Sequence, residues 1–503
     1  MQSLPLALSL LLVALAFLSP AREIPSLERA FVGAALFLGA WNVLLVEWAR
    51  RTARRLTLQI VLRRQHYLQA CAQASVLLYW GWYWPEVYKS AHLIAAQLVF
   101  AYAFDVLLGW TRHGSYTLGF GPVPVVFSIN LFLWFKPDWF YLQFLLVAVG
   151  FAAKDLIRWN KNGRRVHIFN PSSFPLAVFG LALILTGTSD LTWGQEIAST
   201  QFYPPHMYLM LFLIGLPGQY FFGVTPMTLA AVVTTYAFGL AYFAATGVYF
   251  FYDSYIPIAV FLGMHLLFTD PSTSPQTELG RLIFGALYGA STIVLYQLLG
   301  TMGLPTFFDK LLQVPLLNLS IRLIDRVAGS RALRVLDPAT IGPSLTRYRR
   351  HLAYMTIWAM VFAGMSLAEG VGDNHRGQWL PFWRQACTDE RPYACRYLAD
   401  IQGGFCSRGS GWACNEQGIL LARRERDPLA AAGSMERGCA LGFETACDNA
   451  QRLPDLGDLR SVPPTLDDYP IILRGSKGPV DVATPERLRA LACREGWSDA
   501  CSL

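Results

Sequence analysis

Long apolar runs separated by short polar segments fill the chain from residue 4 to residue 369, after which the pattern lapses. A bilayer core about 30 Å thick is crossed by roughly 20 mostly apolar helical residues. On that measure thirteen runs predict membrane helices, centred on residues 4–20, 30–49, 66–83, 89–110, 121–135, 139–157, 167–187, 206–222, 226–247, 254–270, 281–300, 304–327 and 351–369. Two fit least well: 121–135 carries Gly and Pro, and 304–327 has Lys310 and Arg322 near its ends. Beyond Glu369, charged residues, Gly and Pro become frequent, which predicts a small domain outside the bilayer. The expected fold class is all-α, a polytopic bundle of about 13 spans followed by a helical domain.

Composition and charge add an orientation. Of the 503 residues 54% are hydrophobic and only 15% charged, whereas a soluble domain carries roughly a quarter charged. A net charge of +7 suggests nucleic acid in a soluble protein, but here the basic residues gather in blocks between apolar runs, as the positive-inside rule describes. One side of the alternating map holds the six arginines Arg50, Arg51, Arg54, Arg55, Arg63 and Arg64, and Arg112. The same side holds Lys154, Arg158, Lys161, Arg164 and Arg165, then Arg281, and the five arginines of Arg331 to Arg350. The other side holds only Arg22, Arg29, Lys89 and Lys136. This predicts a multi-pass protein of a bacterial inner membrane, with the N-terminus and Arg331–Arg350 cytoplasmic and the C-terminal domain periplasmic. Met1 to Pro20 lacks a basic n-region, so an uncleaved helix is preferred to a cleaved signal peptide; the orientation is the same either way. Arg50 to Arg64, with Leu56, Ile60, Val61 and Leu62 among the arginines, predicts an amphipathic helix lying on anionic headgroups.

Eight of the nine cysteines form four pairs of one spacing, Cys387/Cys395, Cys406/Cys414, Cys439/Cys447 and Cys493/Cys501, each Cys-x7-Cys with alanine before the second cysteine. Zinc wants closer or mixed Cys/His spacing, and His375 is the only histidine nearby, so disulfides in an oxidising compartment are the preferred reading. Cys71, in a membrane run, is expected to be a packed thiol. The pattern resembles the cysteine-rich Sel-like repeats, relatives of tetratricopeptide repeats, over about residues 385–503. That resemblance implies stacked helical hairpins with a concave face for a protein partner. The pairs are unevenly spaced, so the array is irregular, with an inserted loop around Pro454 to Pro485.

Two motifs interrupt the apolar runs: His167-Ile168-Phe169-Asn170-Pro171-Ser172, and Phe268-Thr269-Asp270-Pro271-Ser272-Thr273-Ser274-Pro275 followed by Gly280-Arg281. Asn-Pro and Asp-Pro break a helix and leave backbone groups unpaired, which is tolerated at membrane depth only inside protein or beside a cavity. Paired breaks of this kind often mark a site. The alternative is that Asn170 and Asp270 are plain N-caps ahead of a proline at the first helical position. Together the motifs resemble the RnfD/NqrB family, the D subunit of the Rnf complex and the B subunit of the sodium-pumping NADH:quinone reductase. The likeness extends to Asp105, Ala153-Lys154 and Ile324-Asp325. It implies a ten-helix core of two five-helix halves over residues 66–330. The remaining parts are then extra helices at 1–65, a basic loop and last span at 331–369, and the cysteine domain at 370–503.

The resemblance implies an electron-transfer subunit that binds FMN or riboflavin within a hetero-oligomeric complex of membrane or periplasmic redox proteins. Asn170, Asp270 and Thr269 would lie at its cofactor site. In that family FMN is commonly attached to a threonine of an extracytoplasmic loop; the matching loop here, Thr188 to Pro205, offers only Thr200, in a degenerate motif. Gly223-Val224-Thr225-Pro226 looks closer to that motif but falls on the cytoplasmic side of the map. No dinucleotide fingerprint, phosphate loop or catalytic triad order is present. His206 and His265 could ligate a haem, although single histidines in membrane helices are more often packed. Asp105 and Glu47, costly in lipid, should face protein or water. Two other classes stay open: a transporter or channel on the same two-halved core, and a non-catalytic assembly scaffold resembling the UnbU-like branch of the family.

Overall fold

The computed structural model describes residues 2–161, 163–341, 345–373, 375–378, 380–407, 409–464, 485–494 and 498–501. They form two compact units: Met1–Thr235 with Ile258–Ala363, and Tyr236–Pro257 with Gly364–Leu503. Residues 236–257, read from the sequence as membrane core, thus group with the cysteine helices. Much of the loop expected at Pro454 to Pro485, residues 465–484, lies outside the described residues, as does Gly342 in the basic loop.

Each of the thirteen apolar runs contains a helix, but the helices differ in length. Among the described residues, Pro25–Arg51, Ala91–His113, Thr225–Thr246 and Glu278–Thr301 are long and apolar enough to cross a membrane. Leu4–Ala16, Ser173–Thr186 and Met207–Phe222 are apolar but shorter. The runs at 121–135 and 254–270 depart furthest from the expectation, giving the nine-residue helices Pro122–Asn130 and Ile258–Leu266. Nine residues rise about 14 Å, less than half a bilayer core.

A helix that stops in a low-dielectric interior must have its last carbonyls satisfied. At the end of Pro122–Asn130, Asn130 Nδ2 donates to Val126 O at 2.7 Å and Trp134 Nε1 to Asn130 O at 2.5 Å, and three buried amides hold these groups in place. Asn130 and Gln97 exchange hydrogen bonds of 2.8 and 3.0 Å, and Gln143 donates to Gln97 Oε1 at 3.1 Å while accepting from Phe135 N at 3.0 Å. Gln201 Nε2 donates to Leu131 O at 2.6 Å. At the end of Ile258–Leu266, Thr228 donates to Met264 O at 3.0 Å, Thr269 to His265 O at 2.7 Å and Asn170 Nδ2 to Leu267 O at 2.8 Å.

In the first unit Arg64–Tyr83 packs on Pro122–Asn130 and on Met207–Phe222, and Met207–Phe222 packs on Ile258–Leu266. Ala91–His113 packs on Tyr141–Leu156, and Ser173–Thr186 on Gln313–Ala328. Glu278–Thr301 meets Thr225–Thr246 through Gly285 and Gly289, where a β-carbon would overlap the carbonyl oxygens of Met227 and Ala231. Ahead of Gln313–Ala328, the Lys310 ammonium is buried, donating to Phe307 O at 2.6 Å and pairing with Asp309 at 3.1 Å.

Two expectations are corrected. Arg50 to Arg64 is not an amphipathic helix: the helix ends at Arg51, and Thr57–Ile60 forms a strand parallel to Ser115–Leu118. β-Branched Thr57, Ile60 and Val61 favour extended backbone, and Trp110 Nε1 fixes the strand by donating to Thr57 O at 2.8 Å. A second strand pair, Arg158–Lys161 with Arg164–His167, forms a hairpin. Cys71 is an exposed thiol rather than a packed one, because Arg64–Tyr83 buries Ala70, Gln73, Val76 and Leu77 on its inner face and turns Cys71 outward.

The second unit stacks short helices, and every cysteine pair closes a bond between the end of one and the start of the next: Cys387–Cys395, Cys406–Cys414, Cys439–Cys447 and Cys493–Cys501. The alanines preceding the second cysteines, Ala394, Ala413, Ala446 and Ala500, are all buried, where no larger side chain fits the tight turn between helices. Ser410 and Asp427 cap the next helices by accepting from Ala413 N and Ala430 N. Around them Trp383, Phe405 and Trp412 form a core with Tyr249 and Val248. Asn449 and Glu416 hold the returning chain at Arg460 and Val462.

Candidate functional site

Within the first unit the two sequence breaks meet. Asn170 Oδ1 accepts from Ser172 N at 2.9 Å and Ser173 N at 3.2 Å, so it caps the helix Ser173–Thr186. Its Nδ2 reaches across to Leu267 O, and its own backbone N donates to Asn318 Oδ1 at 3.2 Å. Asn318 Nδ2 in turn donates to Thr273 O at 3.2 Å, so one buried amide ties both breaks together. Asp270 Oδ1 accepts from Ser272 N at 2.9 Å, capping the turn Pro271–Thr273, while its Oδ2 lies 3.5 Å from His167 Nε2.

Asn170 and Asp270 both line a cavity of about 580 Å³, within the usual range for small-molecule sites. Its walls come from the first half of Arg64–Tyr83, the end of Ala91–His113, one face of Pro122–Asn130 and the Arg158–His167 hairpin. The charges around it are organised in pairs. Asp105 accepts from Tyr116 OH at 2.8 Å and lies 3.7 Å from Lys154 Nζ. Asp155 receives Arg158 at 2.7 Å, His113 at 2.8 Å and Arg112 at 3.4 Å. Burial first, and then the neighbouring Asp105, raise the Tyr116 phenol above its ordinary range, so it stays protonated and donating. Arg63 and Arg165 also line the cavity and form no ion pair among the described residues.

Five residues of the cavity wall hold a buried polar atom without a hydrogen-bond partner among the described residues; Asp155 Oδ2 and His167 Nε2 have ion-pair contacts at 3.4 and 3.5 Å, whereas His66 Nδ1, Gln73 Oε1 and Ser128 Oγ have none. Leaving one such group unsatisfied costs about 1–3 kcal/mol, so three in the wall of one cavity favour polar contents within reach of a small side-chain adjustment. The arrangement can hold a ligand with several hydrogen-bonding edges and an anionic end directed at Lys154, Arg63 or Arg165.

The remaining residues singled out in the sequence lie elsewhere. Thr269 is buried, its hydroxyl bonded to His265 O, and it does not line the cavity. Thr200 is buried at the end of Gly194–Thr200, accepts from Trp80 Nε1 at 3.1 Å and is likewise off the cavity wall. A hydroxyl so enclosed does not fit attachment of a phosphate ester. His265 is buried with Nδ1 2.7 Å from Phe261 O, its ring packed on Phe261 and Trp358. Glu47 pairs with Arg51 at 2.8 Å on an exposed surface. The sequence reading missed Asn318, His66, Gln73 and Ser128. The signal for them was available, a polar side chain inside an apolar run. No protein-family model matches the chain, and neither does any curated protein or solved structure.

Proposed function

We propose that this chain is the membrane subunit of an electron-transfer complex and holds a flavin, FMN or riboflavin, without covalent attachment in the cavity beside Asn170 and Asp270. The observation that carries the reading is a cavity of about 580 Å³ rimmed by Lys154, Arg63 and Arg165, whose wall residues His66, Gln73 and Ser128 each hold a buried polar atom without a hydrogen-bond partner among the described residues. An isoalloxazine offers alternating donors and acceptors to such a wall, and a ribityl phosphate suits the cationic rim. When bound, the flavin would supply one- and two-electron redox chemistry. The chain's own residues orient it: Gln73 and Ser128 hydrogen-bond its edge, Lys154 and Arg165 neutralise its phosphate, and the Asn170–Asn318 bridge fixes the wall.

The topology of this proposal has thirteen passes, the shorter helices and the nine-residue pair completing theirs with non-helical chain, and the arginine-rich ends are cytoplasmic. Its ten-helix core consists of two halves, 66–187 and 206–328. Three contact patterns support the halves: the third helix is short in each, each first helix packs on its own third, and the two first helices and the two fifth helices pack on each other. The disulfide unit then lies in the periplasm, as Sel-like repeats docking a redox partner. The paired short helices also favour a second reading, a transporter, since broken helices at matching positions are a transporter device.

The full-length protein purified from membranes decides between them. The flavin reading expects a yellow protein whose flavin is released by denaturation, with occupancy lowered several-fold in Gln73→Leu and Asp270→Ala. A colourless protein that takes up neither FMN nor riboflavin when supplied overturns it.

A further inference from the structure

A second polar region of the first unit is independent of the flavin cavity. Two adjoining cavities, of about 400 and 610 Å³, share Glu278, Arg281 and Arg347 in their walls. Glu278 is already neutralised: Arg350 grips it with Nε at 3.1 Å and Nη2 at 3.0 Å, and Tyr354 OH donates to it at 3.0 Å. Arg281 is fixed in place by donating to Gly223 O at 2.6 Å and Pro275 O at 3.1 Å, yet neither bond cancels its charge. Arg347 and Arg281 form no ion pair among the described residues. Arg334 adds a third cation to the larger cavity, where Asp337 is the one further carboxylate and caps Ala339 N.

Asp325 also attracts Arg281, but Arg281, Arg334, Arg347 and Arg350 outnumber Glu278, Asp325 and Asp337, and an excess of like charge is a cost that a bound anion removes. His351 Nε2, buried and without a partner among the described residues, sits on the wall of the smaller cavity. The outer wall of that cavity is apolar: Phe221 and Tyr348 are 52% and 58% exposed. Arg64 lies 5.8 Å from the Phe221 ring, adding another cation at the rim. A phosphate among arginines with exposed aromatic rings beside it matches the junction of a phospholipid headgroup and its acyl chains. Basic pockets between membrane helices are suited to that chemistry, and apolar helices of this unit are of membrane type.

We propose that Arg281 and Arg347 form a binding site for the phosphate ester of an anionic phospholipid, with Phe221 and Tyr348 against its acyl chains. The test uses the full-length protein in neutral detergent, with thermal unfolding followed after adding phosphatidylglycerol, phosphatidylcholine or inorganic phosphate alone. Phosphatidylglycerol should raise the midpoint by several degrees beyond phosphatidylcholine. Arg347→Gln should unfold at the wild-type temperature in phosphatidylcholine but bind phosphatidylglycerol about tenfold more weakly, the effect of one charge-assisted hydrogen bond. Arg334→Gln, at a position that lines only the larger cavity, gives a smaller loss and serves if the first variant does not fold. Native mass spectrometry should show the phospholipid retained by the wild type and lost from the variant. A shift reproduced by inorganic phosphate alone assigns the site to a soluble phosphate and overturns the lipid proposal. An equal phosphatidylglycerol shift in wild type and both variants overturns the site itself.

Discussion

Removing the disulfides one pair at a time should rank them by burial and, taken together, unfold the second unit. All four bonds span a sequence separation of 8. For a loop of that length the chain-entropy model gives about 2.5 kcal/mol per bond. The four together contribute on the order of 10 kcal/mol, as much as the whole stability of many domains. Differences between pairs must then come from packing. Cys406 and Cys414 are 4% and 0% exposed in the core with Trp412 and Phe405, whereas Cys439 and Cys447 are half-buried. Replacing the buried pair by alanine leaves a void that costs roughly 1 kcal/mol more. Pulse proteolysis of full-length protein across a urea series reads the unit's midpoint directly. Cys406→Ala/Cys414→Ala should lower it further than Cys439→Ala/Cys447→Ala, and full reduction should leave the unit cleavable without urea. If reduction leaves the midpoint unchanged, the entropic argument fails; if the half-buried pair proves costlier, the burial argument fails.

Two further predictions follow from the same coordinates. Gly285→Leu, and to a lesser degree Gly285→Ala, should destabilise the first unit by about 1–3 kcal/mol, because its side chain meets the Met227 carbonyl rather than a movable group; an unchanged melting temperature in detergent would show that the helices separate freely there. His375 is enclosed by Tyr249 and Tyr255, and its burial lowers its pKa from 6.5 to about 4. Between those values the unfolded chain binds a proton that the folded one refuses, so stability is full above pH 6.5 and falls by about 1.4 kcal/mol per pH unit as the solution is acidified toward pH 4. Burial raises the Glu416 and Asp400 carboxyls, which acts in the opposite sense over an acidic window, so the measurement is the difference between wild type and His375→Gln. That difference should grow from pH 7 to pH 4, and a constant one would refute the assignment.

Local pattern revealed what local pattern can encode. Apolar length located a helix in every run, and the Cys-x6-Ala-Cys spacing, with its cysteines one short turn apart, located the four bonds. The helix breaks at Asn170 and Asp270 were visible from proline alone. What escaped is set by residues far apart in the chain. Asn170 and Asn318 are separated by 148 positions, and nothing near either announces the other. The shortness of Pro122–Asn130 and Ile258–Leu266 depended on partners such as Gln97, Gln143 and Thr228, drawn from other helices. The strand at Thr57–Ile60 was hidden by the arginines on either side, whose spacing imitates an amphipathic helix until Ser115–Leu118 supplies a partner.

The capping and cavity readings of the two breaks were framed as rivals, and the geometry makes them parts of one device. A proline break in a membrane core creates unpaired backbone groups, and each must be met by a side chain. Asn170 and Asp270 meet those of their own turns, Asn318 and Asn170 those of the opposing segment. Once a helix has stopped short, the volume it would have filled is left to the protein, and its polar lining decides what enters. At the far end of Pro122–Asn130 that volume is closed by amides bonded to one another. Close by, Ser128 of the same helix and His66 and Gln73 of Arg64–Tyr83 line the cavity of about 580 Å³, and each holds a buried polar atom without a hydrogen-bond partner among the described residues. Bonded amides beside unsatisfied polar atoms are what the proposed flavin site expects, since a ligand that hydrogen-bonds those atoms would offset about 1–3 kcal/mol for each.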